Sequence, residues 1–535
     1  MAFLGERLRL IENLGLDDLD FDKLVKCHQT ANHANQMRYI PVSTTPQPLL
    51  LAPVAQYQCP QHQSYPRIFR TNKHWDDVFR SVSKQYGPVF TVWLGTVPNV
   101  FVTDIELARE AFRKNDFSGR VTSYLGSHFS NDKYKDVVFT DYGHTWEALR
   151  RVAHSAVLKY STNDKLVYLA KDCVQQTVKT MLENEGLDKP FVIKDYICLM
   201  FLSILATSAF STSMDDTEFK MLKYILIDVH REVGARLILW EFSPLIRLLD
   251  RNEVEKHNKV MENLVLMIRN KFKSHYSDYS AAIERDFCDA LISAKNEALR
   301  GHKESSPYLT DDNLAMAVFD LFIAGSESSE NSFQWMLLLM TYYPEVQKKL
   351  RQEIETQIGD RMPTHEDRNR CHYVMAFIAE TLRFRNMMPT GLYHKAVVTS
   401  KIGKYTIPEG MAVFVHQGII CRNDKDWAKG NEFIPERFLD SEGQYMTTRP
   451  KAYIPFGVGR RVCLGEKLAI ADLFLVLVTF LQSTQDYDMV SESSTGIAAD
   501  PNISISFRLS CDGRLGSVGN LSDKRLAQGS GAYGD

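Results

Sequence analysis

No stretch of this sequence is apolar for long enough to cross a membrane. The longest candidate, YICLMFLSILATSAF at 196–210, falls short of the roughly 20 residues a spanning helix needs. It also carries Ser203, Thr207 and Ser208, so it reads as a buried helix. The N-terminus lacks the uninterrupted apolar core of a signal peptide, because Glu6, Arg7, Arg9 and several aspartates break it. Cysteine is scarce: nine among 535 residues, irregularly spaced and without a C-x-x-C pair. That excludes a disulfide scaffold and a paired-cysteine zinc site and points to reducing surroundings. Neither sign of charge dominates, with 63 Lys and Arg against 66 Asp and Glu for a net charge of -3. The chain as a whole therefore exerts no pull on nucleic acid. Internal repeats and clean interior linkers are absent as well.

What remains is an ordinary globular composition, 44% apolar and 24% charged, on a chain long enough to bury a large core. Residues 1–65 mix polar and Pro/Gln-rich pieces that sustain neither a helical nor a strand period, and read as a leader or linker. Order begins near HWDDVFRSVSKQYGPVFTVWLG, where an amphipathic helix gives way to alternating strand patterns, PVFTVWLG and NVFVTD, in a hairpin-like arrangement. From about 104 to 395 the period is helical, with Asp311 and Asp312 capping one long apolar helix and Pro344 opening the next. Short strands return around AVVTSKIGKYTIPEGMAVFVHQ and ISISFRLS. The fold class expected is mainly α with small β-sheets at the edge. The Gly/Ser-rich tail, 510–535, reads as disordered.

The segment PFGVGRRVCLGEKLA at 455–469 sets one cysteine among glycines and arginines just before an apolar helix. Gly457, Gly459 and Gly465 leave the backbone bare around Cys463, which suits a flat ligand approaching closely. Exposed N–H groups and the dipole at the helix start favour a thiolate there. A soft anionic sulfur is an iron ligand, and haem is the flat iron-bearing group that fits. Arg461 offers a fork for a haem carboxylate, and Phe456 can wall the sulfur from water. Taken alone, Cys463 reads first as an inert buried cysteine in a glycine-rich turn. The full spacing F-x-x-G-x-R-x-C-x-G, however, arises by chance in only roughly one chain in ten thousand of this length.

Phe456, Gly459, Arg461, Cys463 and Gly465 together resemble the haem-binding loop of the cytochrome P450 family. The resemblance extends over residues 66–509, implying a single catalytic domain with the α-rich fold of that family, haem b between a long central helix and the cysteine loop. It implies that Glu380 and Arg383 of AETLRF lock to Arg437 of FIPERF as a structural triad. It further implies that Trp146 and Arg150 of WEALRR, with His394 and Arg461, clasp the haem propionates. FDLFIAGSESSENS resembles the family's Ala-Gly-x-acid-Thr segment, so that Glu327 and Ser328 are the expected catalytic acid and hydroxyl, with Ser328 standing where threonine is usual. A solvent-facing Glu327 and a Ser328 bonded back to the preceding turn is the structural alternative.

The implied activity is that of a haem-thiolate monooxygenase, inserting one oxygen atom from O2 into a lipophilic steroid, fatty acid or xenobiotic, with electrons from NADPH through a flavin reductase. Two alternatives stay open: a haem-thiolate isomerase or dehydratase of oxygenated lipids, and a non-catalytic haem-binding protein. A basic neighbourhood of Arg449, Lys451, Arg460 and Lys467 is the expected reductase face. Phe319, Phe322, Ile323 and Ala324 are the expected cavity roof. The apolar residues of 235–249, Leu237, Ile238, Trp240, Phe242 and Ile246, are candidates to dip into lipid at a substrate entrance. The closest branch, animal microsomal with steroid- and drug-oxidising members, implies the cytosolic face of the endoplasmic reticulum membrane. The usual membrane helix of that branch is not recognisable in 1–65.

Overall fold

The computed structural model describes residues 75–491 and 504–509, apart from 95–96, 212–215, 226–228, 230–235, 284 and 302–303. The leader and the tail expected from the sequence lie outside the described residues.

The body is helical. Eight helices matter for the site: α1 (His144–Tyr160), α2 (Asp164–Glu185), α3 (Lys194–Phe210), α4 (Arg251–Ser274), α5 (Phe287–Arg300), α6 (Asp311–Tyr342), α7 (His372–Phe384) and α8 (Glu466–Ser483). The apolar 196–210 stretch is α3, buried nearly all round, as its lack of a polar face requires. It packs against α6, while α2 packs against α8. α6 is the axis of the molecule. Thr310 caps it by accepting the Asn313 N–H, and Asp311 and Asp312 fill its first turn, where the helix dipole favours negative charge. It ends at Tyr342, and Pro344 opens the next helix.

The strands are β1 (Val89–Leu94), β2 (Val97–Val102), β3 (Phe191–Val192), β4 (His394–Lys395), β5 (Ser400–Ile402), β6 (Tyr405–Ile407), β7 (Ala412–Val415), β8 (Tyr487–Ser491) and β9 (Ser504–Leu509). β1 and β2 form the expected antiparallel hairpin, with Val89 opposite Val102. The sheet continues in the order β1-β2-β7-β4, β2 running parallel to β7, and this pairing sets His394 opposite Val413. Stacked Phe90, Phe101 and Phe414 cover one face of that sheet, as aromatic cross-strand neighbours do in a half-buried surface.

The expected triad forms a closed buried network. Glu380 and Arg383, one turn apart on α7, are both fully buried, joined at 2.6 Å (Nε to Oε2) and 2.8 Å (Nη2 to Oε1). Arg383 also donates to the carbonyls of Cys421, Gly430 and Glu432. Glu380 accepts the Ile434 N–H at 2.8 Å and faces Arg437 Nε at 3.4 Å. Arg437 in turn donates to the carbonyls of Ala428 and Lys429. Burial still pushes the Glu380 carboxyl upward, against the pull of both arginines. The network staples α7 to the 421–437 segment and so holds the chain that leads into the cysteine loop.

Candidate active site

α6, α8 and the loops around Cys463 enclose a cavity of about 1120 Å³. Cys463 lies on one wall, and Glu327 and Ser328 of α6 line the same space. The cysteine loop is tight. Cys463 N–H donates to Phe456 O at 2.9 Å, and Gly457 and Gly459 have φ of +84° and +80°. A Cβ on Gly459 would stand 2.0 Å from Phe112 O, so both conformation and space demand glycine. Gly465 is different: its φ is ordinary, and a Cβ there would meet only Cys463 Sγ, at 4.0 Å. It sits at the N-cap of α8, and the backbone N–H groups of Gly465 and Glu466 favour the sulfur's anion, as the sequence suggests. Desolvation by the surrounding protein outweighs them and pushes the Cys463 thiol up.

One edge of the cavity gathers cations. Arg120, Arg150, Arg461 and His394 all line it. Arg461 donates to the carbonyls of Ser118, Val137 and Thr140, at 2.9, 3.2 and 2.7 Å. Arg150 donates to Val462 O at 2.5 Å, and Arg120 to Val138 O at 2.8 Å and Tyr393 O at 2.7 Å. Desolvation and mutual repulsion bring Arg461 down to about 8, and desolvation, chiefly, brings Arg120 down to about 10. Burial, with Arg120 and Arg461 nearby, holds His394 well below its usual range. Its Nδ1 is 2.9 Å from Phe117 O, so the neutral ring donates there and offers a second donor only as an imidazolium. Asp136 and Asp141 are the acids acting on this cluster. Buried guanidiniums crowded beside one cavity are relieved by an anion with two separated charges.

These residues fit haem b: one soft sulfur on a wall that only glycine permits, a cavity of suitable size, and a cationic edge for two carboxylates.

Several expectations need correction. Trp146 does not reach the cavity. Its indole N–H donates to Val137 O at 3.1 Å and the ring is buried under Arg461, so it supports an arginine instead of offering a donor of its own. Ser328 adopts the alternative arrangement, its hydroxyl donating to Ala324 O at 2.6 Å. Ser326 and Ser332 bond back to Phe322 and Ser328 in the same way, so the polar patch leaves α6 unbroken. A Cβ on Gly325 would press on Leu205 of α3 at 3.2 Å, which makes close helix packing its clearest role. Of the expected roof, Ile323 and Ala324 line the cavity. Phe319 and Phe322 are fully buried beside Phe129 and Phe210. Trp240 is also buried, donating to Asp250 at 2.9 Å, and among the described residues of that segment Leu248 and Leu249 are exposed, while the side chains of Ile238 and Phe242 lie outside the described residues. Of the expected basic face, Arg449 pairs with Glu466, Lys451 with Glu106 and Arg460 with Glu147.

Two cavity residues escaped the sequence. Arg120 stands in SGRVTS, a context with no pattern to mark it. Glu330 lies one residue beyond the polar patch that was read, and it is buried, accepting from Cys198 Sγ at 3.0 Å and Gln334 Nε2 at 2.7 Å.

A family model described as cytochrome P450 matches residues 63–485. The steroid 17-alpha-hydroxylase/17,20 lyase of Ictalurus punctatus is 31% identical over 415 residues, spanning 76% of this chain and 79% of that protein. The Gallus gallus protein of the same name is 31% identical over 407 residues, 74% of this chain and 79% of that one. Among solved structures, a zebrafish cytochrome P450 with progesterone covers 82% of this chain and 100% of its own at a TM-score of 0.68. At 22% sequence identity, that likeness is one of fold.

Proposed function

The chain belongs to the cytochrome P450 family, and we propose that this haem monooxygenase oxidises a steroid or a lipophile of similar shape, with Cys463 as the iron ligand. As a monooxygenase it places one oxygen atom of O2 into a lipophilic organic substrate and depends on a redox partner. The observation that carries the reading of the site is the placement of Cys463 and of Glu327 and Ser328 on one cavity whose edge holds Arg120, Arg150, Arg461 and His394. The steroid preference is drawn from the relatives named hydroxylase and lyase, and from the apolar walls of Phe129, Leu321, Ile323, Ala324 and Leu392.

Cys463 would hold the iron through its sulfur, and Arg120, Arg150 and Arg461 would face the haem carboxylates, with His394 gaining its second proton there. Bound in this way, haem supplies dioxygen activation and oxygen insertion at a C–H bond. Glu327 presents a carboxyl group at the cavity wall, and Ser328 presents an oxygen whose own hydrogen is engaged on Ala324. The apolar walls exclude water from the reacting carbon.

Electrons would come from NADPH through a flavin reductase docking around Arg449, Lys451, Arg460 and Lys467. Three of these cations already face acids, so the steering they give is weaker than four free charges would provide. No helix among the described residues is long and apolar enough to cross a membrane. Contact with the cytosolic face of the endoplasmic reticulum would run through the exposed Leu248 and Leu249.

The test is direct. Purified protein loaded with haem is reduced under carbon monoxide, then offered reductase, NADPH and progesterone while oxygen uptake and hydroxylated product are followed. A thiolate-type spectrum, absent in Cys463→Ala, together with hydroxylated progesterone supports the reading. A nitrogen-type spectrum overturns the ligand, and turnover of fatty acids alone overturns the steroid preference.

A further inference from the structure

α6 carries two carboxylates one turn apart. Glu327 is exposed to the cavity, whereas Glu330 is buried where α6 packs on α3 and still lines the same space. Residues three apart on an unbroken helix are neighbours, so the charge on one is felt at the other. We propose that Glu330 is a positioning residue for the oxygenation chemistry: its charge, one helical turn from Glu327, sets the electrostatic field at the stretch of cavity wall where Glu327 stands. This rests on the reading of Glu327 as the catalytic acid of the cavity.

The surroundings of Glu330 suit such a role. Its two oxygens accept from a thiol and an amide, Cys198 and Gln334, neither of which brings a positive charge. The groups that act on it most strongly are Cys198 and Lys194 from α3 and Glu327 and Gln334 from its own helix. Burial, the largest influence, raises this carboxyl to about 7, against the pull of Lys194 and both hydrogen bonds and with Glu327 adding to the rise. A structural carboxylate would be locked by an arginine, as Glu380 is by Arg383. Glu330 is instead poised to change charge near neutrality. Above about pH 7 it is ionised and adds negative charge beside Glu327. Below that pH it is neutral, and that charge is withdrawn from the cavity wall. No proton has to pass between them.

Two measurements test this on the full chain. Infrared difference spectra of the haem-free protein, wild type against Glu330→Gln, should show one protonated carboxyl band that titrates with a midpoint near 7. The loaded enzyme, with reductase, NADPH and progesterone, is then followed by peroxide released per NADPH consumed. That ratio should change by up to about twofold across neutrality in wild type and in Glu330→Asp, and stay flat in Glu330→Gln. A carboxyl midpoint in the ordinary glutamate range overturns the proposal, as does a wild-type pH profile in Glu330→Gln. Glu327→Gln separates the two readings. If it leaves the peroxide ratio unchanged, the role of Glu327 itself fails; if it alters the ratio but keeps the inflection near neutrality, only the coupling to Glu330 fails.

Discussion

The guanidinium of Arg461 lies 3.9 Å from the ring centroid of Trp146, and both side chains donate to one carbonyl, that of Val137. Val137 is itself held through its N–H by Asp320 of α6, at 2.8 Å. The cationic edge of the cavity is thus tied to the long helix through the 136–140 loop. Trp146→Leu should therefore keep the fold and lose haem. Removing the ring takes away a partly desolvated cation–π contact of about 2 kcal/mol and the packing that orients Arg461. We expect a helical circular dichroism spectrum close to wild type and a haem dissociation rate at least about tenfold faster. Trp146→Phe should fall between.

Arg383→Lys should unfold more than its chemistry suggests. Lysine cannot reproduce the fork that meets both oxygens of Glu380 while donating to Cys421, Gly430 and Glu432. It leaves buried acceptors unsatisfied and a carboxylate half-paired, at a cost of about 3–5 kcal/mol. Urea denaturation of the haem-free chain should show this loss, while Arg449→Lys, in a half-exposed pair, should move the midpoint by no more than about 1 kcal/mol.

Ser328→Ala should retain haem and send more reducing equivalents to peroxide. In the resting structure the hydroxyl is already engaged on Ala324, so its contribution is an acceptor oxygen and, on release, a donor. The expected fall in product per NADPH is a few-fold, below the 10²–10⁴ range of a principal acid–base group. Unchanged product yield would remove Ser328 from the proton path.

Glu330 gives the folded chain a pH dependence whose sign can be worked out. Its carboxyl rises from 4.5 to about 7 on folding, so the folded state keeps a proton that the unfolded state has released between those values. Stability therefore falls as pH rises through that window, and the penalty is complete above about 7. Glu330→Gln should be the more stable form at pH 8 by up to about 3 kcal/mol, with the advantage vanishing below pH 4.5. Paired urea titrations at the two pH values measure it.

Much of this could be read along the chain. The apolar runs of α3 and α6, the alternation of β1 and β2 and the proline after α6 are local patterns, and local patterns follow from neighbouring residues. The cysteine loop is legible for the same reason: its glycines answer a backbone that turns through positive φ at 457 and 459 within a few residues of Cys463. Glu380, Arg383 and Arg437 are legible through the family resemblance, which rests on the order of the segments across 58 positions and not on any one pair.

The misreadings share a physical origin. Trp146 and Arg150 lie one turn apart on α1 and look equivalent in sequence, yet only the packing of α1 under the 136–140 loop decides that Arg150 reaches the cavity while Trp146 stops at Val137. Phe319 and Phe322 face α3 and the loop near Phe129, and apolar residues on a helix buried all round carry no mark of which side will meet a ligand. Arg120 and Glu330 become site residues solely through neighbours distant in sequence, Tyr393 for one and Cys198 for the other. By itself the sequence determined that this chain builds an α-rich fold with a sulfur held at the start of an apolar helix, because those features depend on local conformation. Tertiary structure alone decided which charges are buried together and how far each is shifted, because desolvation and Coulomb interaction depend on distance through space, to which chain position is blind.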